Sequence, residues 1–444
     1  MASRAHKIVH KARGTVPEGT FAVGAGLGLA AICAYGFVII SFRSLDNAGN
    51  AGLSALWALI FVAGPGFFLP LEQEVGRAIA HRRVNGVGAG PLVKRAALFG
   101  GILCAVLVAT TLACYVPMRD DLFHGDGMLV IALAVGLVGY YLQHLSRGVL
   151  SGNGRFKPYG EMLAAEAMVR LAAAVALALL GVAVAGPYGM ALGLAPFVAV
   201  FWSMRGQHGL IQPGPPAPWS ELSNALFYLL AGSVLAQALA YAPLLGVNIL
   251  GTPSDQAQVA AFARAFFIAR IPILLFMAVQ AALLPRLASL HGSGRHDEFK
   301  VGLRRLLFAV VGIAAIGVVA AATLGPLAGD VLFGADKFTI SRENLALLAA
   351  GSGVYVIALT LAQALIALED HARVALGFTV GVAVFFVVAI PISELFLRVE
   401  LGFLLGSLTA ALVMGVLLVG RMRLGVPDSI TPLVEAVTSE PIEI

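Results

Sequence analysis

Long apolar runs separated by short polar breaks dominate this chain. A helix crosses the hydrocarbon core of a bilayer with about 20 apolar residues, and windows of that length predict twelve spans. They fall at about 20–42, 53–71, 94–117, 128–150, 160–184, 187–204, 221–250, 257–285, 304–328, 344–368, 372–393 and 401–420. Several contain Pro or Gly (Gly64-Pro65-Gly66, Pro243, Pro272, Gly325-Pro326), which membrane helices tolerate as kinks. Composition then excludes alternatives. Of 444 residues 59% are hydrophobic and 12% charged, against about 25% charged in soluble domains. With a mean hydropathy of +0.91, this excludes a soluble enzyme, a disordered chain and a nucleic-acid binder.

The net charge of +5 matters less than where the charges lie. With the N-terminus inside, most Lys and Arg fall on the cytoplasmic side, as in Arg77, Arg82, Arg83, Lys94 and Arg95. The other side holds Arg43, Arg119, Lys337, Arg342 and Arg398, and Arg170, Arg264 and Arg270 lie within spans. This asymmetry predicts a membrane protein with both termini cytoplasmic. The polar, basic first twenty residues carry no evident cleavable signal. Cys33, Cys104 and Cys114 sit in apolar stretches and read as core residues.

The halves resemble each other. The second span ends in Phe67-Phe68-Leu69-Pro70-Leu71 and the eighth in Ala282-Leu283-Leu284-Pro285-Arg286; each precedes a basic loop closed by Lys94-Arg95 or Arg304-Arg305. Gly139-Tyr140-Tyr141 and Gly353-Val354-Tyr355 match more weakly. A duplicated six-helix unit, with an even span number, gives a parallel repeat around a central cleft. The expected fold is an all-α polytopic membrane protein of about twelve helices in two pseudo-symmetric lobes around a central cavity. Its expected parts are a cytoplasmic tail 1–19, an N-lobe 20–204, a Pro-rich linker 205–220, a C-lobe 221–424 and a cytoplasmic tail 425–444. Gly24 and Gly28, four apart in the first span, read as a close helix-packing face rather than a phosphate loop.

The stretch Ala278-Val279-Gln280-Ala281-Ala282-Leu283-Leu284-Pro285-Arg286-Leu287-Ala288-Ser289-Leu290 resembles the multidrug/oligosaccharidyl-lipid/polysaccharide (MOP) exporter superfamily, which is MATE-like, and within it the bacterial polysaccharide biosynthesis flippases. So do Arg147-Gly148-Val149-Leu150-Ser151-Gly152-Asn153-Gly154-Arg155-Phe156 after the fourth span and Gly64 to Glu74 at the end of the second. These are packing and turn sequences, so they identify the fold better than the cargo. The resemblance implies an alternating-access flippase that moves a polyprenyl-(pyro)phosphate-linked sugar or oligosaccharide across the membrane for cell-surface polysaccharide synthesis. It also implies H+ or Na+ coupling, with a polysaccharide polymerase or glycosyltransferase as partner. Lipid II flippases of the superfamily carry arginines in several spans; here the first span, Phe21 to Phe42, has no charge. That departure sets lipid II apart as cargo.

A charge at mid-helix costs about 2.5–3.5 kcal/mol on insertion scales, so charges within spans are functional candidates. Arg264 and Arg270 fall roughly 10 and 20 Å into the eighth span at 1.5 Å per residue. Their guanidinium forks suit pyrophosphate oxygens. About 120° separates them on the helix, so a shared wall needs a wide cleft or a bend at Pro272. Arg264 can equally snorkel or pair between helices. Glu166 and Arg170, one turn apart on the fifth span, form either an ion-coupling pair or a structural lock. Glu72, Glu74 and Arg77 lie opposite Arg286 and can form a cytoplasmic gate, or be ordinary interfacial charges. Gln237, Gln280 and Gln363 suit sugar hydroxyls, though interhelix hydrogen bonds are the commoner use of such residues, Gln143, Asn224 and Asn248 included. The histidines show no metal-ligand spacing, and no metal or other cofactor is expected.

Two other functions compete. A drug-type exporter shares the architecture but would favour carboxylates for cationic cargo, whereas these candidates are net basic. A membrane polysaccharide polymerase would need a carboxylate cluster or a large polar loop, and the outer loops are short.

Overall fold

A computed structural model describes residues 20–218, 221–222, 226–271 and 296–423. Among these, all regular structure is helical. Twelve principal helices follow in order: α1 (Thr20–Ser44), α2 (Asn47–Val84), α3 (Gly90–Ala113), α4 (Gly127–Gly152), α5 (Phe156–Leu179), α6 (Ala185–Met204), α7 (Leu226–Leu250), α8 (Gln256–Ala269), α9 (His296–Phe333), α10 (Arg342–Ala367), α11 (His371–Ala389) and α12 (Leu395–Arg423). Eleven are long and apolar enough to cross a membrane. α8 is the described beginning of the predicted eighth span; the rest of that span, with Gln280 and Arg286, lies outside the described residues, as do the two tails and Asn224. Helices are the element a membrane permits, because backbone groups without water must satisfy one another. α2 overshoots its predicted 53–71 window: its 38 residues span about 57 Å, so its Arg- and Glu-bearing end projects past a core about 30 Å thick.

Helix starts at the end away from the basic loops are fixed by side chains. Asp46 accepts a hydrogen bond from Gly49 N (2.8 Å), Asp126 from Met128 N (3.0 Å) and Ser341 from Asn344 N (3.2 Å). Each occupies an amide with no partner within its helix.

The packing repeats. In the first half α1 lies on α5, α2 and α3 on α4, and α6 on α4 and α5; in the second, α7 lies on α11, α8 and α9 on α10, and α12 on α10 and α11. Each pairing recurs six helices later, so the duplication read from short motifs extends to the packing of the lobes. The lobes meet where α2 packs on α7 and α8, with a smaller contact between α1 and α9.

At the end away from the basic loops the lobes are clamped. Arg43 donates to Leu332 O and Val331 O, both at 2.7 Å, which are carbonyls of the last turn of α9 left unpaired by the helix end. Lys337 returns a bond to Arg43 O (3.1 Å). Beneath this, Phe42 packs edge-on to Phe267 of α8 and lies 6.2 Å from Phe333 of α9.

At the basic end the Pro-rich linker is strapped to the first lobe. Gly90 N donates to Gln212 O (2.8 Å), and buried Arg82 reaches Gly88 O, Pro215 O and Pro216 O while pairing with both oxygens of Glu221 at 2.7 and 2.9 Å. The Arg82 guanidinium holds the Glu221 carboxyl below the usual carboxylate range. The linker thus enters α7 from a fixed position.

The glycine expectation is corrected. A Cβ on Gly24 or Gly28 would meet nothing within 4 Å, whereas one on Gly26 would lie 2.4 Å from Gly160 O of α5, and one on Gly160 2.4 Å from Ala22 O. The close α1–α5 crossing therefore runs through Gly26 and Gly160. Gly26→Val should lower the thermal unfolding midpoint of the purified protein, by the equivalent of at least about 1–3 kcal/mol of overpacking, while Gly24→Ala and Gly28→Ala leave it unchanged.

Candidate functional site

A cavity of about 450 Å³ lies between the lobes. Tyr35 of α1 and Trp57, Phe61, Pro70 and Gln73 of α2 form its first-lobe wall. Opposite stand Ser233, Gln237 and Tyr241 of α7, Arg270 after α8, Tyr355 and Gln363 of α10, and His371 of α11. Its described lining contains no Asp or Glu, and Arg270 is its one Lys or Arg.

Arg270 is held in a way that leaves its donors available. Its guanidinium carbon lies 4.5 Å from the ring centre of Tyr241 and 4.8 Å from that of Phe266, a contact that steadies a cation without consuming N–H groups. Among the described residues one hydrogen bond, Nη1 to Ala240 O at 3.1 Å, commits one of its five donors. No carboxylate pairs with it among the described residues.

Arg264 is placed elsewhere, so the two arginines do not share a wall. It is 2% exposed, donates to Lys337 O (2.6 Å) and reaches Asn47 Oδ1 (3.5 Å), which ties α8 into the clamp. The 120° turn between the two residues carries one to the lobe junction and the other to the cavity. Gln237 and Gln363 line the cavity, while Asn248 bonds Ser54 across the lobes (3.2 Å).

Glu166 and Arg170 pair at 2.7 Å, both buried inside the first lobe. Glu166 also accepts from Tyr140 Oη and Gln143 Nε2, each at 2.9 Å. The Arg170 guanidinium stands 5.7 Å from the Trp57 ring, and that ring lines the cavity. One indole therefore separates the pair from the cavity. Arg170 Nε and Nη1 have no partner.

The expected gate divides. Glu72 faces into its own lobe: His144 Nδ1 lies 2.7 Å and Arg147 3.2 Å from it, and Tyr159 Oη donates to it at 2.8 Å. Its partners belong to α4 and α5, not to the second lobe, because residues two apart on a helix point about 200° apart. Glu74 and Arg77 keep the other face, paired at 2.8 Å, with Arg77 donating to Glu221 O.

Tyr140, His144, Arg147 and Tyr159 escaped the sequence reading. The signal was present, since Tyr140, Gln143, His144 and Arg147 recur at i, i+3, i+4 and i+7, one face of α4. Glu400 escaped because the predicted last span begins at 401, whereas α12 begins at Leu395.

Removing one partner of a buried pair strands the other charge, at a cost of about 3–5 kcal/mol. Arg170→Ala should therefore destabilise the folded protein in thermal unfolding far more than the double change Glu166→Gln with Arg170→Met. Equal losses would mean that the two charges are not coupled.

No family model matches the chain. Among relatives, the uncharacterized protein Rv1510 of Mycobacterium tuberculosis is 29% identical over 382 residues, covering 83% of either chain. The uncharacterized protein Mb3654 of Mycobacterium bovis is 25% identical over 386 residues, covering 83% of this chain and 85% of its own. Among solved structures, an inward-facing multidrug resistance MATE family transporter of the MOP superfamily superposes with a TM-score of 0.69 at 14% identity, over 88% of this chain and 94% of that one. An outward-facing MATE family transporter gives 0.65 at 14%, over 92% and 96%. Together with the repeated packing and the cavity between lobes, these likenesses give the chain the fold of the MATE transporters.

Proposed function

We propose that this protein is an alternating-access transporter that flips a polyprenyl-(pyro)phosphate-linked sugar or oligosaccharide across the bacterial cytoplasmic membrane. The fold supports a membrane transporter. The observation that carries the finer reading is the cavity charge: Arg270 stands in the described lining without an acidic partner, so the space attracts an anion. A cationic drug would find no counter-charge there, which favours the flippase over a drug-type exporter. The four remaining donors of Arg270 suit phosphate oxygens, and Gln237, Gln363 and Ser233 suit sugar hydroxyls. A cavity of about 450 Å³ falls in the size range that encloses a compact ligand, here a headgroup, with the prenyl chain left in the bilayer.

The basic loops mark the cytoplasmic side in this reading, and the Arg43–Lys337 clamp closes the opposite one, so the cavity is loaded from the cytoplasm. Glu74 and Arg77 then border the entrance. Export requires the clamp to part and the basic end to close. Glu166 and Arg170, behind Trp57, are placed to sense whether the cavity is filled; a motion that separates them would let Glu166 take up a proton. A polymerase or glycosyltransferase would then receive the sugar.

In proteoliposomes, Arg270→Ala should reduce translocation of a fluorescent polyprenyl-pyrophosphate sugar at least about tenfold, the loss of one charged hydrogen-bonding group, and Arg270→Lys should retain part of it. Equal, full activity of both variants, or efficient export of a cationic dye by the wild type, contradicts the reading.

A further inference from the structure

The second lobe buries a carboxylate that no part of the cargo site uses. Glu400, in the second turn of α12, is 0% exposed, and among the described residues neither oxygen has a hydrogen-bond partner. Ser407, seven residues on and on the same face, is 0% exposed and also lacks a partner for its hydroxyl. Around Glu400 the wall is apolar. Phe396, one turn before it, lies 5.2 Å from Phe262 of α8; Phe403, one turn after, lies 6.1 Å from Tyr355 of α10; and Val399 packs on Gly246 of α7.

Arg342 and Glu343 open α10 from exposed positions, and the following charged and polar groups of the neighbouring elements bond elsewhere. On α8, Arg264 donates to Lys337 O; on α10, Tyr355 Oη donates to Ala236 O (3.0 Å). On α7, Asn248 bonds Ser54 and Leu244 O, and Tyr241 stacks on Arg270. Beside it in the chain, Glu394 accepts from Phe396 N and Leu397 N, while Arg398 donates to Ala389 O. On α11, His371 and Arg373 lie at the opposite end of the helix. An ionised carboxylate without donor, cation or water is far costlier than the neutral acid.

The helix that meets Phe396, one turn before Glu400, also joins the lobes. α8 presents Phe262 to Phe396, and Phe267 to Phe42 of α1 and Trp57 of α2, while its Arg264 reaches Lys337 and Asn47. Parting the lobes at the clamped end therefore pulls on the helix whose Phe262 packs on Phe396, one turn from the acid.

We propose that Glu400 is a proton-binding site of the second lobe: it keeps its proton as a neutral acid while the lobes are clamped and passes it to water when α8 shifts. Use of that proton to drive transport rests on the transporter reading above; the binding does not, and can be tested without cargo. Glutamine is the isostere of the neutral acid, so Glu400→Gln should insert and fold. The full-length wild type and this variant, purified in detergent, are compared by unfolding from about pH 5 to about pH 9. A proton bound more tightly in the folded state stabilises at low pH and ceases to do so as pH rises through the folded titration. The wild type should thus lose stability relative to the variant with rising pH, its folded-to-unfolded ratio falling by up to about tenfold per pH unit, the one-proton limit. Other titrating groups cancel in the difference. Dicyclohexylcarbodiimide, an apolar reagent for protonated carboxyls, should label the Glu400 peptide at low pH, as read by mass spectrometry. Parallel curves, an unlabelled Glu400, or failure of the glutamine variant to fold would each overturn the proposal. If the pH difference and the label are found but polyprenyl-linked sugars are not moved, the proton site stands and the flippase reading falls.

Discussion

A charge carried into the interior of a membrane bundle has to be met by the protein itself, because neither water nor ions can reach it. That constraint sorts the charges of this chain. In the first lobe every one is met: Arg170 by Glu166, and Glu72 by His144, Arg147 and Tyr159. The result is a polar spine along one face of α4 that binds α2 and α5 to it. At the clamped end Arg43 and Arg264 are met by backbone carbonyls, which ties the lobes together without a carboxylate. Only where the constraint is left open does the structure offer work to a mobile species. In the readings proposed above, Arg270 takes an anion from the cavity and Glu400 holds a proton.

The two lobes are therefore alike in packing and unlike in chemistry. Each pairing of the first half recurs in the second, so both present the same framework to the cleft. The first lobe carries an internally neutralised network behind an indole; the second carries the exposed cation of the cavity wall and an acid sealed among aromatic rings. Their junction runs through Trp57, Phe61, Tyr241 and Phe267, where rings 4.9 to 5.9 Å apart can slide with little loss of contact. Such a seam, crossed by few directional bonds such as Tyr35 Oη to Phe267 O (2.9 Å), suits lobes that rock against each other.

The spans and the repeat were legible because the bilayer imposes a length and a polarity that any stretch of sequence must display. Which face of a helix a residue occupies was harder. Arg264 and Arg270 look equivalent on one span, yet 120° of rotation sends one to the clamp and the other to the cavity. Glu72 and Glu74 look like one acidic cluster, yet they face different partners. Gly24 and Gly28 have the right spacing for close packing, but Gly26 between them faces α5. Glu400 was hidden for a different reason, the helix beginning some turn and a half before its apolar window. In the other cases the missing information was azimuthal, and it depends on neighbours that no single helix encodes.

The central claim is that the cavity takes an anionic, lipid-linked sugar. Its most direct test is to deplete the protein from its host and analyse which lipids accumulate in the cytoplasmic leaflet. A polyprenyl-phosphate-linked or -pyrophosphate-linked sugar should build up there and disappear when the wild-type chain is restored. An unchanged lipid profile, with sensitivity to cationic drugs appearing instead, would contradict the account.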